Sequence, residues 1–287
     1  MITIVDLQTS LLDLLHEIEG SEVNVIIGGG FGIYLKVVHV AKEGRRTLWR
    51  EWPEPRATND LDLFLRPELL IESEKLKPLA EAIERLGYQA VAGAEKYQFV
   101  KPGAGGADPG SVKIDILTGP QNRFKGTKVR ADARRARPHP SIGIHAHPVD
   151  EALTLEDGLM LIVLSGVLSS GEPSKAEIFL PHPYTFAMMK LFAFRDRIED
   201  ADKDFGRYHA LDLYTILATT TEDEWAYALK LRDQNRSQPG MIEAGRLVSR
   251  HFSGTDRLGI IRLKESPYYR PELRIDEFMS ALQELFP

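Results

Sequence analysis

Arg56-Ala57-Thr58-Asn59-Asp60-Leu61-Asp62-Leu63-Phe64-Leu65 interleaves Leu61, Leu63 and Leu65 with Asp60, Asp62 and Phe64. That period of two is the signature of a strand with one face on a core. Asp60 and Asp62 then project from one face, their Cα atoms roughly 6.6 Å apart at the usual strand rise. Unpaired buried charge is costly, so an apolar strand rarely carries two carboxylates on one face. A divalent cation removes the cost, and carboxylates at this spacing can converge on one or two Mg²⁺ ions. An edge strand with a solvated polar face would show the same alternation.

Working outward, Val23-Asn24-Val25-Ile26-Ile27 reads as a short buried strand that runs into Gly28-Gly29-Gly30-Phe31-Gly32. A mainly apolar helix follows, through Ile33, Tyr34, Leu35, Val37 and Val38. A strand–glycine–helix junction presents backbone N–H groups to an anion, and glycine lets a phosphate approach the backbone. The glycine spacing is not G-x-G-x-x-G and no G-K-[ST] follows, which excludes a dinucleotide fingerprint and a Walker A loop. Downstream, Val112, Ile114 and Ile116 alternate with Lys113, Asp115 and Leu117, a second strand with a carboxylate mid-element.

Ile27-Gly28-Gly29, Asp60-Leu61-Asp62 and Asp115 together resemble the signature of the polymerase β-like nucleotidyltransferase superfamily. Within it, Arg56-Ala57-Thr58-Asn59-Asp60-Leu61-Asp62 resembles the R-x-[ST]-x-D-[LI]-D form of the AbiEii-type family, which includes nucleotidyltransferase toxins of bacterial toxin–antitoxin systems. Lys190, Ala193 and Arg197 match a Lys-x-x-Ala-x-x-x-Arg helix of that family, and Lys203, Asp204, Asp212 and Tyr214 match the Lys-Asp…Asp-Leu-Tyr helix that follows it. The gap from Gly29 to Asp60 is longer than the family's, and the third aspartate comes late, after a Gly-rich loop.

The resemblance implies an α/β (α+β) nucleotidyltransferase fold with a mixed sheet and a helical C-terminal domain, divided here as residues 1–180 and 181–287. It implies Asp60, Asp62 and Asp115 as catalytic metal ligands for Mg²⁺ (or Mn²⁺), with Asp115 completing the metal site or accepting the proton of the attacking hydroxyl. Gly28, Gly29, Arg56, Thr58, Lys190 and Arg197 would contact the NTP substrate, with Lys190 and Asp212 also in catalytic roles. For Lys190 and Asp212 the alternatives are helix-surface charges or a structural pair. The resemblance favours tRNA or another RNA as acceptor, a toxin role and an antitoxin partner. A protein hydroxyl, an aminoglycoside-like small molecule, and a non-catalytic nucleotide- or partner-binding module remain alternatives.

Composition bounds the rest. The chain has 287 residues, 43% hydrophobic and 27% charged, ordinary for a globular protein able to bury a core. No cysteine is present, which excludes disulfides and thiolate zinc sites. No apolar run approaches the ~18 residues of a membrane span, and residues 1–6 lack a leader-like pattern, so a soluble cytoplasmic protein is expected. Net charge is −6, so a nucleic-acid site must be a local patch. One exists: Arg123, Lys125, Lys128, Arg130, Arg134, Arg135 and Arg137 stand against Asp132 alone, either an RNA-backbone or triphosphate contact or a solvated loop.

Element by element, helices are expected over 6–19, 67–86 with a break at Pro78, 183–197, 202–219, 221–232, 238–252 and 273–285. Residues 88–92 and 97–101 read as a hairpin, and 142–149, 159–168 and 176–180 as strands. His145 and His147 fall on one face of the first of these, as a polar face or as metal ligands lacking a third. The loop over 43–57, with Trp49 and Trp52, reads as a flap over the site or as a Trp-anchored surface loop.

Overall fold

The computed structural model describes residues 3–54, 58–102 and 111–287. Arg56 and the Gly103–Gly110 loop lie outside them. The fold begins with α1 (Ile4–Glu17), opened by a capping box in which Thr3 and Asp6 satisfy each other's backbone N–H groups. Then come β1 (Ile26–Ile27), α2 (Gly29–Glu43), β2 (Asp60–Leu65), α3 (Pro67–Ile71) and α4 (Lys77–Arg85). The strands β3 (Gln89–Ala90), β4 (Gln98–Val100), β5 (Lys113–Thr118), β6 (Arg130–Ala131), β7 (Ala136–Arg137), β8 (His147–Pro148), β9 (Met160–Val167) and β10 (Pro173–Leu180) follow. The remainder is helical: α5 (Pro183–Arg197), α6 (Arg207–Ala218), α7 (Glu222–Asn235), α8 (Pro239–His251), α9 (Leu258–Lys264) and α10 (Ile275–Leu285).

The chain forms two compact units, neither of them one continuous run. The first is Met1–Gly32, Ala57–Asp150 and Leu159–Leu180; the second is Ile33–Arg56, Glu151–Gly158 and Pro181–Pro287. The first unit is built on a mixed sheet ordered β3-β4-β5-β2-β1-β10-β9, with β8 also paired to β5. β2 runs parallel to β5 and antiparallel to β1, while β1 runs parallel to β10. Leu61, Leu63, Ile114 and Ile116 turn to the buried core, together with Leu7, Leu11 and Leu14 of α1. The opposite face of β2 and β5 therefore holds Asp60, Asp62, Lys113 and Asp115.

Two expectations for this unit are corrected. The break expected at Pro78 falls at Glu72, where φ −98° and ψ 59° end α3. Pro78 instead lies in the first turn of α4, where its missing N–H leaves no helical bond unmade. The strand expected over 142–149 is reduced to β8 and one bridge between Ala136 and Ala146. Gly143 (φ +86°) turns the chain out of extension, and Pro148 has no N–H for a ladder.

The second unit packs α5 and α6 as its centre. Tyr184, Phe186, Met188, Leu191 and Phe194 of α5 are buried, as are Leu211, Leu213, Tyr214, Ile216 and Leu217 of α6. Phe252 bridges Phe194 (5.1 Å between ring centroids) and Phe278 (6.1 Å). α6 begins later than expected, at Arg207. Residues Ala201–Gly206 form a 3₁₀ turn in which Asp204 (φ 54°) and Phe205 (φ 51°) take left-handed conformations. α9 was not anticipated, because seven residues are too few to show a helical period. In the described part of the 43–57 loop, residues 48–51 are anchored within the second unit. Leu48 N–H donates to the Thr220 carbonyl (2.9 Å), Trp49 is buried against Tyr214, and the Tyr214 hydroxyl donates to the Glu51 carbonyl (2.9 Å).

Candidate active site

The candidate site starts from a close approach of two backbones. β1 ends at Ile27, and the Gly28 N–H donates to the Asp62 carbonyl over 2.8 Å. A Cβ on Gly28 would lie 2.5 Å from the Phe64 ring. Gly29, at φ +59°, opens α2, and a Cβ there would overlap the Asp62 carboxylate. Both glycines are thus required by the acidic strand beside them, independently of any ligand. The arrangement sets the N-terminus of a 15-residue helix against Asp62. A helix N-terminus carries a partial positive charge, favourable to anions.

Asp62 pairs in register with Asp115 across the parallel β2–β5 ladder, and Asp60 pairs with Lys113. Lys113 Nζ reaches Asp115 Oδ2 at 3.1 Å, and Gln98 stands opposite Asp115 on β4. The Asp115 side chain is 15% exposed, and its Oδ1 is buried without a hydrogen-bond partner. Burial raises the Asp115 pKa and the nearby Asp60 charge adds to the rise, while Lys113 and a Gln98 hydrogen bond oppose it. The Asp60 N–H donates to Thr58 Oγ1 at 3.4 Å, which places Thr58 at the mouth of the acidic strand.

These residues fit a nucleotide-bound Mg²⁺ in part. Asp60 and Asp62 are oxygen donors on one face, next to a helix end suited to phosphate, and oxygen donors of this kind are what Mg²⁺ takes. A closed protein cage is absent: among the described residues no group of three or more His, Asp or Glu side chains is placed to hold one metal ion. The remaining ligands would come from phosphate and water, as is usual for Mg²⁺.

Lys190 and Asp212 form a buried ion pair in the second unit, Nζ to Oδ2 at 2.7 Å, with the side chains 8% and 6% exposed. Of the alternatives, the helix-surface charge is therefore excluded. Arg197 lies 3.2 Å from His209 Nε2. Asp204 pairs with Arg207 inside the left-handed turn.

The basic run divides by partner. Arg123 pairs with Glu68, Arg135 with Glu95 and Arg137 with Asp132. Lys125, Lys128, Arg130 and Arg134 are exposed, with no carboxylate within 4.0 Å among the described residues. His145 is buried, and desolvation pulls it down to about 4. His147 Nδ1 sits 2.9 Å from the Arg134 carbonyl while its ring stacks on Tyr97. Among the described residues the two histidines share no ligand set with a third group.

Sequence reasoning passed over Lys113 and Gln98. The alternation that exposed Asp115 puts Lys113 on the same face two residues earlier, whereas Gln98 becomes visible only through strand register.

No family model matches the chain, and no curated protein matches it. Among solved structures it is similar to an antigenic nucleotidyltransferase-like protein from Paracoccidioides brasiliensis. That likeness has 12% identity and a TM-score of 0.40, over 96% of this chain and 92% of the other. It is also similar to the antibiotic-resistance factor ANT(2'')-Ia, with 14% identity and a TM-score of 0.33, over 80% of this chain and 99% of the other. Overlaps this loose decide neither family nor activity. No described helix is long and apolar enough to cross a membrane.

Proposed function

We propose that the protein is a Mg²⁺-dependent nucleotidyltransferase that moves an NMP from an NTP to an acceptor hydroxyl. The observation that carries this reading is the register of Asp62 with Asp115 on adjacent parallel strands, with the Gly28-Gly29 turn pressed against Asp62. Bound Mg²⁺ would supply charge neutralisation of the triphosphate and of the leaving pyrophosphate. Asp60 and Asp62 would hold that ion, and the N–H groups at the start of α2 would receive phosphate oxygens. The acceptor oxygen bonds to the α-phosphorus, the bond from that phosphorus to the bridging oxygen breaks, and pyrophosphate leaves. The hydroxyl proton passes to Asp115, whose Oδ1 has a vacant acceptor position. The chain's task is positioning and electrostatics rather than covalent catalysis.

The acceptor we favour is RNA, tRNA in particular, on the strength of Lys125, Lys128, Arg130 and Arg134, which are exposed and have no carboxylate partner among the described residues. A toxin role with an antitoxin partner belongs to the same reading. Incubation of the protein with each α-labelled NTP, Mg²⁺ and total tRNA should put label on RNA for at least one nucleotide. Label on protein or on a small molecule would replace the acceptor. No transfer to any acceptor class, with nucleotide still bound, would leave a binding module.

A further inference from the structure

Strand β8 puts a histidine beside the acidic face. His147 pairs in register with Leu117 of β5, and Leu117 stands two residues beyond Asp115 on the same face of that strand. The His147 imidazole lies on the Tyr97 ring, 6.1 Å between centroids and 26° between planes, within the range of aromatic stacking. The Arg135 guanidinium lies over Tyr97 in turn, 5.1 Å from the ring centroid. Both outer members are held in place. The Arg134 carbonyl can only accept, so His147 Nδ1 donates to it at 2.9 Å. Arg135 donates to the Gly93 carbonyl at 3.2 Å and pairs with Glu95 at 3.5 Å. Tyr97, Arg135 and His147 all stay partly exposed.

The stack adjoins cations that no described carboxylate neutralises. The β6–β7 hairpin joins the chain at β8 through two backbone hydrogen bonds between Ala136 and Ala146, at 2.8 and 3.1 Å. That hairpin carries Arg130 on β6 and Arg134 at its turn, both exposed. A single strand of nucleic acid is gripped by this combination, a π-face for a base and cations for the phosphates. We propose that His147, backed by Tyr97 and Arg135, is a stacking platform for the unpaired terminal base of the acceptor RNA, with Arg130 and Arg134 on the adjoining phosphates. The inference rests on the RNA-acceptor reading and deepens it. Leu117 lies roughly 6.6 Å along β5 from Asp115, so a base stacked on His147 keeps its own ribose the nearest of the strand to the acids. Arg135, already paired with Glu95, backs the stack and takes no phosphate.

The test separates base from backbone. Two short single-stranded RNAs, one ending in adenosine and the other in an abasic ribose, are bound to the full chain and followed by fluorescence anisotropy at several salt concentrations. The wild type should bind the first about 5- to 150-fold more tightly, the range expected of one stacked base. His147→Ala should lose that preference while binding the abasic RNA as the wild type does, with the same salt slope. His147→Phe, which restores a ring, should keep most of the preference. Melting temperatures check that both variants are folded, and the wild-type comparison stands on its own if His147→Ala is not. Equal affinity of the wild type for the two RNAs, or full preference in a folded His147→Ala, would overturn the platform and leave the RNA reading in place. A wild-type chain that binds neither RNA at low salt would instead remove RNA as the acceptor, and this proposal with it.

Discussion

Lys190 and Asp212 show at single-residue scale how burial changes the meaning of a charge. A lysine on a helix surface can be truncated for within about 0.5 kcal/mol. Lys190 instead shares a desolvated ion pair with Asp212 at 2.7 Å. Removing one partner takes the opposite charge at 2.7 Å away from the other in a desolvated place, and breaking a buried pair in this way typically costs about 3–5 kcal/mol. Lys190→Ala should therefore destabilise by that order in chemical denaturation, and Lys190→Ala with Asp212→Ala by clearly less than the sum of the single changes. A cost near that of a surface truncation would show that the pair is not formed in solution. The pair was foreseeable only as one alternative beside a catalytic role and a helix-surface charge, since residues 22 positions apart on separate helices meet through tertiary packing.

At the scale of elements, α5 and α7 are held by groups that titrate. His182 Nδ1 accepts the Tyr184 N–H at the start of α5, and the ring is buried with its edge against Tyr227. Burial pulls His182 from 6.5 to about 4, opposed by the Glu224 charge. Glu224 itself binds Lys36 Nζ at 2.6 Å and closes the Thr221 capping box of α7. The sign follows from linkage: between about pH 6.5 and pH 4 the unfolded histidine takes a proton that the folded one refuses. The stability contributed by neutral His182 is complete above that window and is lost as pH falls through it. His182→Asn keeps an N-cap acceptor and removes the titration. It should flatten the loss of stability across that window by about 3 kcal/mol, measured by denaturant unfolding at each pH. An unchanged pH slope would place the acid sensitivity elsewhere.

Elements with a strong period were legible in the sequence. The alternation at Asp60–Leu65 and Lys113–Thr118 predicts β2 and β5, and the apolar run of α5 predicts that helix within a residue of its ends. What failed lacks a period. α9 is a seven-residue helix, the 142–149 segment is ended by Gly143 and Pro148, and Asp204 and Phe205 leave helical geometry where their sequence continues it. The acids of the candidate site were legible because parity fixes a face. Lys113 as a partner of Asp115 needed the observed ion pair, and Gln98 needed the register of β4 on β5.

At the scale of the whole molecule, a chain of net charge −6 repels nucleic acid except where cations are concentrated. Lys125, Lys128, Arg130 and Arg134 are the part of the basic run that no carboxylate neutralises among the described residues. Replacing all four with glutamine should weaken RNA binding and reduce the slope of log K against log salt by about 3, at roughly 0.7 per phosphate contact on a single strand. An unaltered slope would return the run to a solvated loop.

The most direct test of nucleotidyl transfer at the acidic strand is label transfer by Asp60→Asn and Asp62→Asn. Each change keeps size and backbone geometry while removing one carboxylate charge from the proposed metal site. Transfer from α-labelled NTP to RNA should fall by at least a hundredfold in both, the scale expected when one preorganised electrostatic contact is lost. Far-ultraviolet circular dichroism and melting temperature should stay close to wild type. Wild-type transfer in either folded variant would contradict the assignment of the site to Asp60 and Asp62.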